Sequence, residues 1–165
     1  VATAKRKIKK EEADAEVALL HQKLEGYSKM KICGSFRRNL KTVGDIDVVV
    51  SPANEDNPEF LISSIKALAK EVMSDGKKIV RIVTENDVQV DFYITNEKFF
   101  DSHVLFLTGS KGFNIKCRSL AKQFGMRLSQ YGLVDERGEV VAISEDDILS
   151  KIGLMDFIHP EARSI

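Results

Sequence analysis

The chain has 165 residues, 43% hydrophobic and 30% charged, and its 25 basic and 25 acidic side chains cancel to a net charge of zero. That is enough for one domain or two compact subdomains with a shared core, and the composition excludes a disordered chain. No apolar run approaches the roughly 18 residues of a membrane helix, and the basic start (Lys5, Arg6, Lys7, Lys9, Lys10) leads into no apolar segment, so neither a membrane span nor a signal peptide is expected.

In chain order, the spacing of Ala15, Leu19, Leu20 and Leu24 predicts a helix over 11–25, stopped at Gly26. A short strand follows over 29–33, then a Gly34-Ser35 turn into a short helical segment through Arg37 and Arg38. Residues 45–50 read as a strand and 51–58 as a polar loop. Leu61, Ile65, Leu68 and Val72 form one stripe, which predicts a helix over 59–73. Residues 77–84 and 88–94 read as paired strands across a turn at 85–87. Helices are expected over 96–107 and 111–124, the second ending at Gly125. Short strands around 127–134 and 139–143 then lead to a last helix, capped by Ser144 with Asp147 in the capping-box position. Cys33 and Cys117 have no partner at metal-ligand spacing and read as reduced thiols of an intracellular protein.

The chemistry gathers in GSFRRNLKTVGDIDVVV, beginning at Gly34. Alternate residues of a strand share a face, so Asp45 and Asp47 project together while Ile46 and Val48 turn to the core. Two adjacent carboxylates repel unless a cation lies between them, and a divalent ion with oxygen ligands is the natural solution. In VQVDFYI, Gln89, Asp91 and Tyr93 face opposite to Val88, Val90 and Phe92, so Asp91 is either solvent-exposed or a third metal ligand. Gly34 lets the backbone approach a ligand, Ser35 offers a hydroxyl at the start of a helical turn, and an arginine forks onto phosphate oxygens. Arg37 and Arg38 diverge on that turn, so one serves the anion and the other, Arg37, is expected in a surface ion pair.

Charge is uneven along the chain. Between Ser102 and Val134 there is no Asp or Glu, while Lys111, Lys116, Arg118, Lys122 and Arg127 all fall there. The helix over 111–124 sorts into an apolar stripe of Phe113, Cys117, Leu120, Ala121 and Phe124 and an opposite face of Lys111, Asn114, Arg118 and Lys122. Such a face suits phosphates, and Asn114 with Arg118 could test base-pair geometry at minor-groove acceptors without choosing a base. A solvated amphipathic helix has the same pattern.

Together GSFRR, GDIDVVV, VDFYI and FLTGSKGFNIKCRSLAKQFGMRLSQYGL, in that order, resemble the family X DNA polymerases of the polymerase-beta type, over nearly the whole chain from Ile8 onward. The resemblance implies an α+β protein in a compact palm-plus-thumb form: a nucleotidyltransferase palm over 1–97, a mixed sheet flanked by helices, then a small α/β thumb over 98–165. It implies Asp45 and Asp47 bridging two Mg²⁺ ions (Mn²⁺ as a substitute), with Asp91 on the catalytic metal beside a primer 3′-OH. Gly34, Ser35, Arg38 and Lys10 would hold the triphosphate, and Phe106, Leu107, Thr108 and Gly109 would line the sugar pocket. Asn114 and Arg118 would meet the incoming base and the template; Lys111, Lys122 and Tyr131 of the thumb hairpin would contact DNA.

The implied partners are primer-template or gapped DNA, a dNTP, and a ligase or other repair protein, for a monomeric enzyme. The family's N-terminal lyase domain and helix-hairpin-helix module are not part of this chain, so no lyase activity is expected. Phe106 stands where the family often has a sugar-gate tyrosine, and Tyr93 stands where an arginine often follows the third acid. A template-independent nucleotidyltransferase would use the same acids, and a non-catalytic nucleic-acid-binding remnant would not need them.

Overall fold

A computed structural model describes residues 6–165; Lys5 and the start of the expected 1–97 palm lie outside the described residues. Ile8–Lys9 (β1) leads into helix Lys10–Leu24 (α1), strand Ser28–Ile32 (β2), the single turn Gly34–Arg37 (α2) and strand Thr42–Val43 (β3). Strand Ile46–Pro52 (β4), helix Glu59–Ala67 (α3) and strands Ala69–Asp75 (β5), Ile79–Thr84 (β6) and Gln89–Ile94 (β7) complete the first part. Helices Phe100–Thr108 (α4) and Lys111–Gln123 (α5), strands Arg127–Ser129 (β8), Gly132–Val134 (β9) and Val140–Ala142 (β10), and helix Glu145–Lys151 (α6) make the second. Three 3₁₀ turns, Glu97–Phe99, Met155–Phe157 and Pro160–Arg163, join or follow them. The fold is α+β, a mixed sheet flanked by helices and followed by a smaller α/β part.

The sheet runs β2-β4-β7-β6-β5, with β4 and β7 parallel and every other neighbour antiparallel. On one face Ile46, Val48, Val50, Val80, Ile82, Val90 and Phe92 pack with α1 and α3 through Val17, Leu20, Leu24, Leu61 and Ile65. Burying each such side chain contributes about 1.5–3 kcal/mol before entropy is counted. On the other face α4 sets Phe100 and Val104 against Cys33 and Val49. Leu105, one residue on, joins the second core with Phe113, Cys117, Ala121, Leu133, Ile148 and Leu149. Helix α4 therefore belongs to both packing units and fixes one against the other.

Four expectations need correction. The helix over 59–73 stops at Leu68, whose N–H bonds the Ile65 carbonyl, and residues 69–75 form β5 along the edge of β6. Val72 and Met73 stay 42% and 41% exposed, so main-chain pairing rather than side-chain burial places this strand. In α1 the buried stripe is Ala13, Val17, Leu20 and Leu24, with Leu19 at the surface. The helix over 96–107 opens as a 3₁₀ turn, capped where the Asn96 side chain accepts from the Phe99 N–H. Phe124, expected in the apolar stripe of α5, caps that helix and is 59% exposed. The β1–β3 pair (Ile8 beside Val43, Lys9 beside Thr42) clips the chain just ahead of Gly44 and Asp45.

Candidate active site

Parallel strands β4 and β7 place Asp47 directly beside Asp91, so both carboxylates leave the same face of the sheet. Asp45 lies one step before β4. The Gln89 amide donates to Asp91 Oδ1 at 3.0 Å and reaches Asp45 Oδ2 at 3.5 Å. Across the other edge of β7, Arg81 is the register partner of Asp91, with its Nε 3.5 Å from Oδ2. Asp91 is 4% exposed, and burial pushes its pKa up, as does the charge of Asp45; the bonds from Gln89 and Arg81 oppose this. Burial and the charges of Asp47 and Asp91 likewise raise Tyr93.

This is a hard-oxygen donor set on one rigid face, which suits Mg²⁺ in chemistry. Among the described residues, though, no three acidic, His or Cys side chains close around a common point, and the Gln89 amide bridges two of the three aspartates. The donors fit the ions; their side chains are not drawn up into a finished cage.

Gly34 has φ +60°, and a Cβ there would lie 2.6 Å from Asp47 Oδ2. The residue is glycine because the carboxylate of β4 packs onto its backbone. Gly34, Ser35 and Arg38 then share an open cleft of about 510 Å³ with Asp45 and Asp47. Phe106, Leu107 and Gly109 form its opposite wall, and Lys111, Asn114 and Arg118 of α5 project from the far side. The Asn114 amide donates to the Phe106 carbonyl at 2.8 Å, which ties α5 to that wall. The Gly109–Ser110 peptide is cis, and Ser110 caps α5 by accepting from the Phe113 N–H. Burial lowers the Arg38 pKa, with Asp47 opposing.

The DNA polymerase beta palm family matches residues 7–103, and the DNA polymerase beta thumb family matches residues 103–164. The chain belongs to the family X, polymerase-beta-type DNA polymerases. It is 34% identical over 141 residues to the DNA polymerase/3′-5′ exonuclease PolX of Bacillus subtilis, covering 82% of this chain and 24% of that protein. It is 26% identical over 118 residues to DNA polymerase lambda of Rattus norvegicus, covering 61% of this chain and 21% of that one. The chain thus spans about a quarter or less of the length of these relatives. Leishmania infantum polymerase beta, solved as a ternary P/T complex, superposes with a TM-score of 0.82 at 21% identity, over 97% of this chain and 77% of that one. That likeness shows a shared fold.

Other expected residues lie outside this family X cleft. Thr108 is fully buried; its hydroxyl donates to the Val104 carbonyl and accepts from Arg37, and only its carbonyl meets Arg38. Lys10 lies over the Phe36 ring, 4.9 Å from its centroid, with its Nζ 3.4 Å from Asp14. Lys122 is exposed farther along α5. Tyr131 lines a second cleft of about 460 Å³ beyond Phe106 and Leu107, where its ring meets Phe99 and His103 edge-on and its hydroxyl accepts from Lys78.

Arg37 does pair with an acid, but in the interior rather than at the surface. Its two Nη atoms fork onto Glu145 at 2.7 and 2.8 Å, and Glu145 also accepts from Arg163 at 2.9 Å. Both thiols are buried, and burial pushes them up, Cys33 to about 12 and Cys117 to about 11, which favours the protonated form. Gln89, Arg81, Glu145 and Arg163 are not among the site residues expected from the sequence. The alternation of VQVDFYI had put Gln89 on the Asp91 face, which was the one available signal.

Proposed function

We propose that this chain is a template-directed DNA polymerase that adds dNTPs to a primer 3′-OH by two-metal nucleotidyl transfer, acting on short gaps in DNA repair. One observation carries this reading: a single cleft joins Asp45 and Asp47, the Gly34–Ser35–Arg38 turn and the Lys111–Asn114–Arg118 face of α5. Acids alone would fit any nucleotidyltransferase. The basic helix opposite them supplies a place for a base pair and a template strand.

Residues 1–97 would act as the catalytic palm and 98–165 as the thumb. Asp45 and Asp47 would hold both divalent ions, and Asp91 the ion beside the primer terminus. When bound, the ions supply Lewis-acid charge neutralisation at the attacking and leaving oxygens. The rest is positioning by the chain. Arg38, Ser35 and Gly34 receive the triphosphate; Phe106, Leu107 and Gly109 flank the sugar; Asn114 and Arg118 border the nascent pair. Main-chain hydrogen bonds of the sheet fix the backbone spacing of Asp47 and Asp91, so only the carboxylates would have to turn toward the ions, those of Asp45 and Asp91 away from Gln89.

The test is extension of a primer across a one-nucleotide gap, with each dNTP and rNTP supplied singly, with and without Mg²⁺. Incorporation of the template complement supports the reading. Mg²⁺-dependent addition that ignores template sequence replaces it with a template-independent transferase, and no Mg²⁺-dependent addition removes catalysis.

A further inference from the structure

Arg38 borders the triphosphate cleft, but its guanidinium is already engaged. Its Nη1 donates to the Thr108 carbonyl at 2.6 Å and its Nε donates to the Ser164 hydroxyl at 2.9 Å. Ser164 is exposed, yet its position is set by the residue before it. Arg163 is fully buried, bonded to Glu145 at 2.9 Å and to the Phe157 and Ile158 carbonyls at 2.7 and 2.9 Å, with the Phe113 ring centroid 5.5 Å away.

The main chain around Ser164 is fixed as well. The Ser110 N–H donates to the Arg163 carbonyl at 3.2 Å, and the Ser110 hydroxyl lies 2.7 and 2.9 Å from the Arg163 and Ile165 main-chain oxygens. At Gly112 a Cβ would collide with the Ile165 main-chain oxygen, so the first turn of α5 keeps room for this segment. Residues 163–165 thus lie along the Ser110–Gly112 wall of the cleft, and Ser164 presents its hydroxyl to Arg38.

We propose that Ser164 is a positioning residue for Arg38: it holds the guanidinium to one side of the cleft until a triphosphate displaces it. This rests on the nucleotide-binding reading of the cleft. A phosphate oxygen carries charge and makes a stronger bond to arginine than a neutral hydroxyl does, so the exchange runs toward the ligand. The bond to Ser164 is given up in that exchange, and triphosphate affinity is lower by its value. A carboxylate at position 164 would instead compete with the phosphate as an anion already in place.

The full chain is titrated with dATP and Ca²⁺ in the absence of DNA, by calorimetry. Ser164→Ala is expected to tighten binding about 3- to 10-fold, the size of one modest hydrogen bond. Ser164→Asp is expected to weaken it at least about 10-fold, while Ser164→Thr, which keeps the hydroxyl, stays near wild type. In an Arg38→Ala background the differences between the Ser164 variants should vanish, which a general effect on the fold would not produce. Melting temperatures should barely move, because the Ser164 side chain is exposed.

Ala and Asp variants that both bind within twofold of wild type overturn the proposal, as do differences that persist without Arg38. If wild type and every Ser164 variant fail to bind dATP, the nucleotide-binding reading falls and takes this proposal with it.

Discussion

Glu145→Ala removes the one anion that two arginines share across the seam between the two parts of the chain. Arg37 comes from α2, beside Gly34 and Ser35, and Arg163 from the segment after the second core; both bond to Glu145 at 2.7–2.9 Å. The Arg37 and Glu145 side chains are 16% and 13% exposed, and that of Arg163 is 0%. Breaking a buried pair by deleting one partner costs about 3–5 kcal/mol, because the surviving charge is left without compensation. Arg163 would keep two carbonyl partners and Arg37 would keep the Thr108 hydroxyl, which points to the lower end, about 3 kcal/mol. For a chain of this size that is a fall in Tm of about 6–12 °C.

The loss should depend on pH in a defined direction. Burial pushes the Glu145 pKa up, but the bonds from Arg37 and Arg163 outweigh it and hold it below the usual carboxylate value. A depressed acid stabilises the fold above its unfolded pKa, and that stabilisation is lost as pH falls through the folded value. Thermal unfolding of wild type and Glu145→Ala, followed by circular dichroism across pH, should show the Tm gap in full at neutral pH and closing in acid. A gap under about 2 °C at neutral pH would refute the buried-lock argument. So would a gap that does not shrink below about pH 4.

The remaining predictions concern the cleft. Asp91→Asn should abolish incorporation in a gap-filling assay yet hold or raise Tm at neutral pH, since burial makes the charged form of Asp91 costly; a folded variant that still polymerises would remove Asp91 from the mechanism. Gly34→Ala places a methyl 2.6 Å from Asp47 Oδ2 at a positive φ, so it should cost about 1–2 kcal/mol in denaturant unfolding and lower kcat far more than a strain of that size would suggest. Arg118→Ala should reduce kcat/KM on templated DNA while leaving dATP binding to the DNA-free protein within about twofold. Equal losses in both would assign Arg118 to the triphosphate. If the basic face of α5 meets DNA phosphates as proposed, DNA affinity, measured by fluorescence anisotropy, should fall steeply and log-linearly with salt; a flat salt dependence would contradict it.

The parts of this structure that were legible in the sequence are those with a side-chain period. Alternation in GDIDVVV and VDFYI gave the strands and the shared face of their acids, and the Phe113–Cys117–Ala121 spacing gave α5. Ser144 announced α6 through its cap, and its hydroxyl does accept from the Asp147 N–H. What stayed hidden has no period. Strand β5 is held by main-chain bonds along an edge, so its side chains were free to imitate a continuing helix. The β1–β3 clip is two residues long on each side. The Arg37–Glu145 pair joins residues 108 apart, and no local pattern marks either as the partner of the other.

Of these hidden contacts, the Arg37–Glu145 pair lies where the two packing units meet, and the candidate site lies there too. Asp45 and Asp47 take their places from a sheet whose register is set by hydrogen bonds within the first unit. Phe106, Gly109, Lys111, Asn114 and Arg118 take theirs from α4 and α5, which pack on the second core. Neither unit encloses the cleft alone, so its width is set by what crosses the seam: α4, the Arg37–Glu145–Arg163 lock, and the Arg38 bonds to Thr108 and Ser164. Adjacent residues of α2 divide the work. Arg37 holds the units together from the inside, and Arg38 faces the space they enclose. That division explains why neighbouring arginines of one type reach such different environments, and why a change at Glu145, outside the cleft, should be felt at the Gly34–Ser35 turn that borders it.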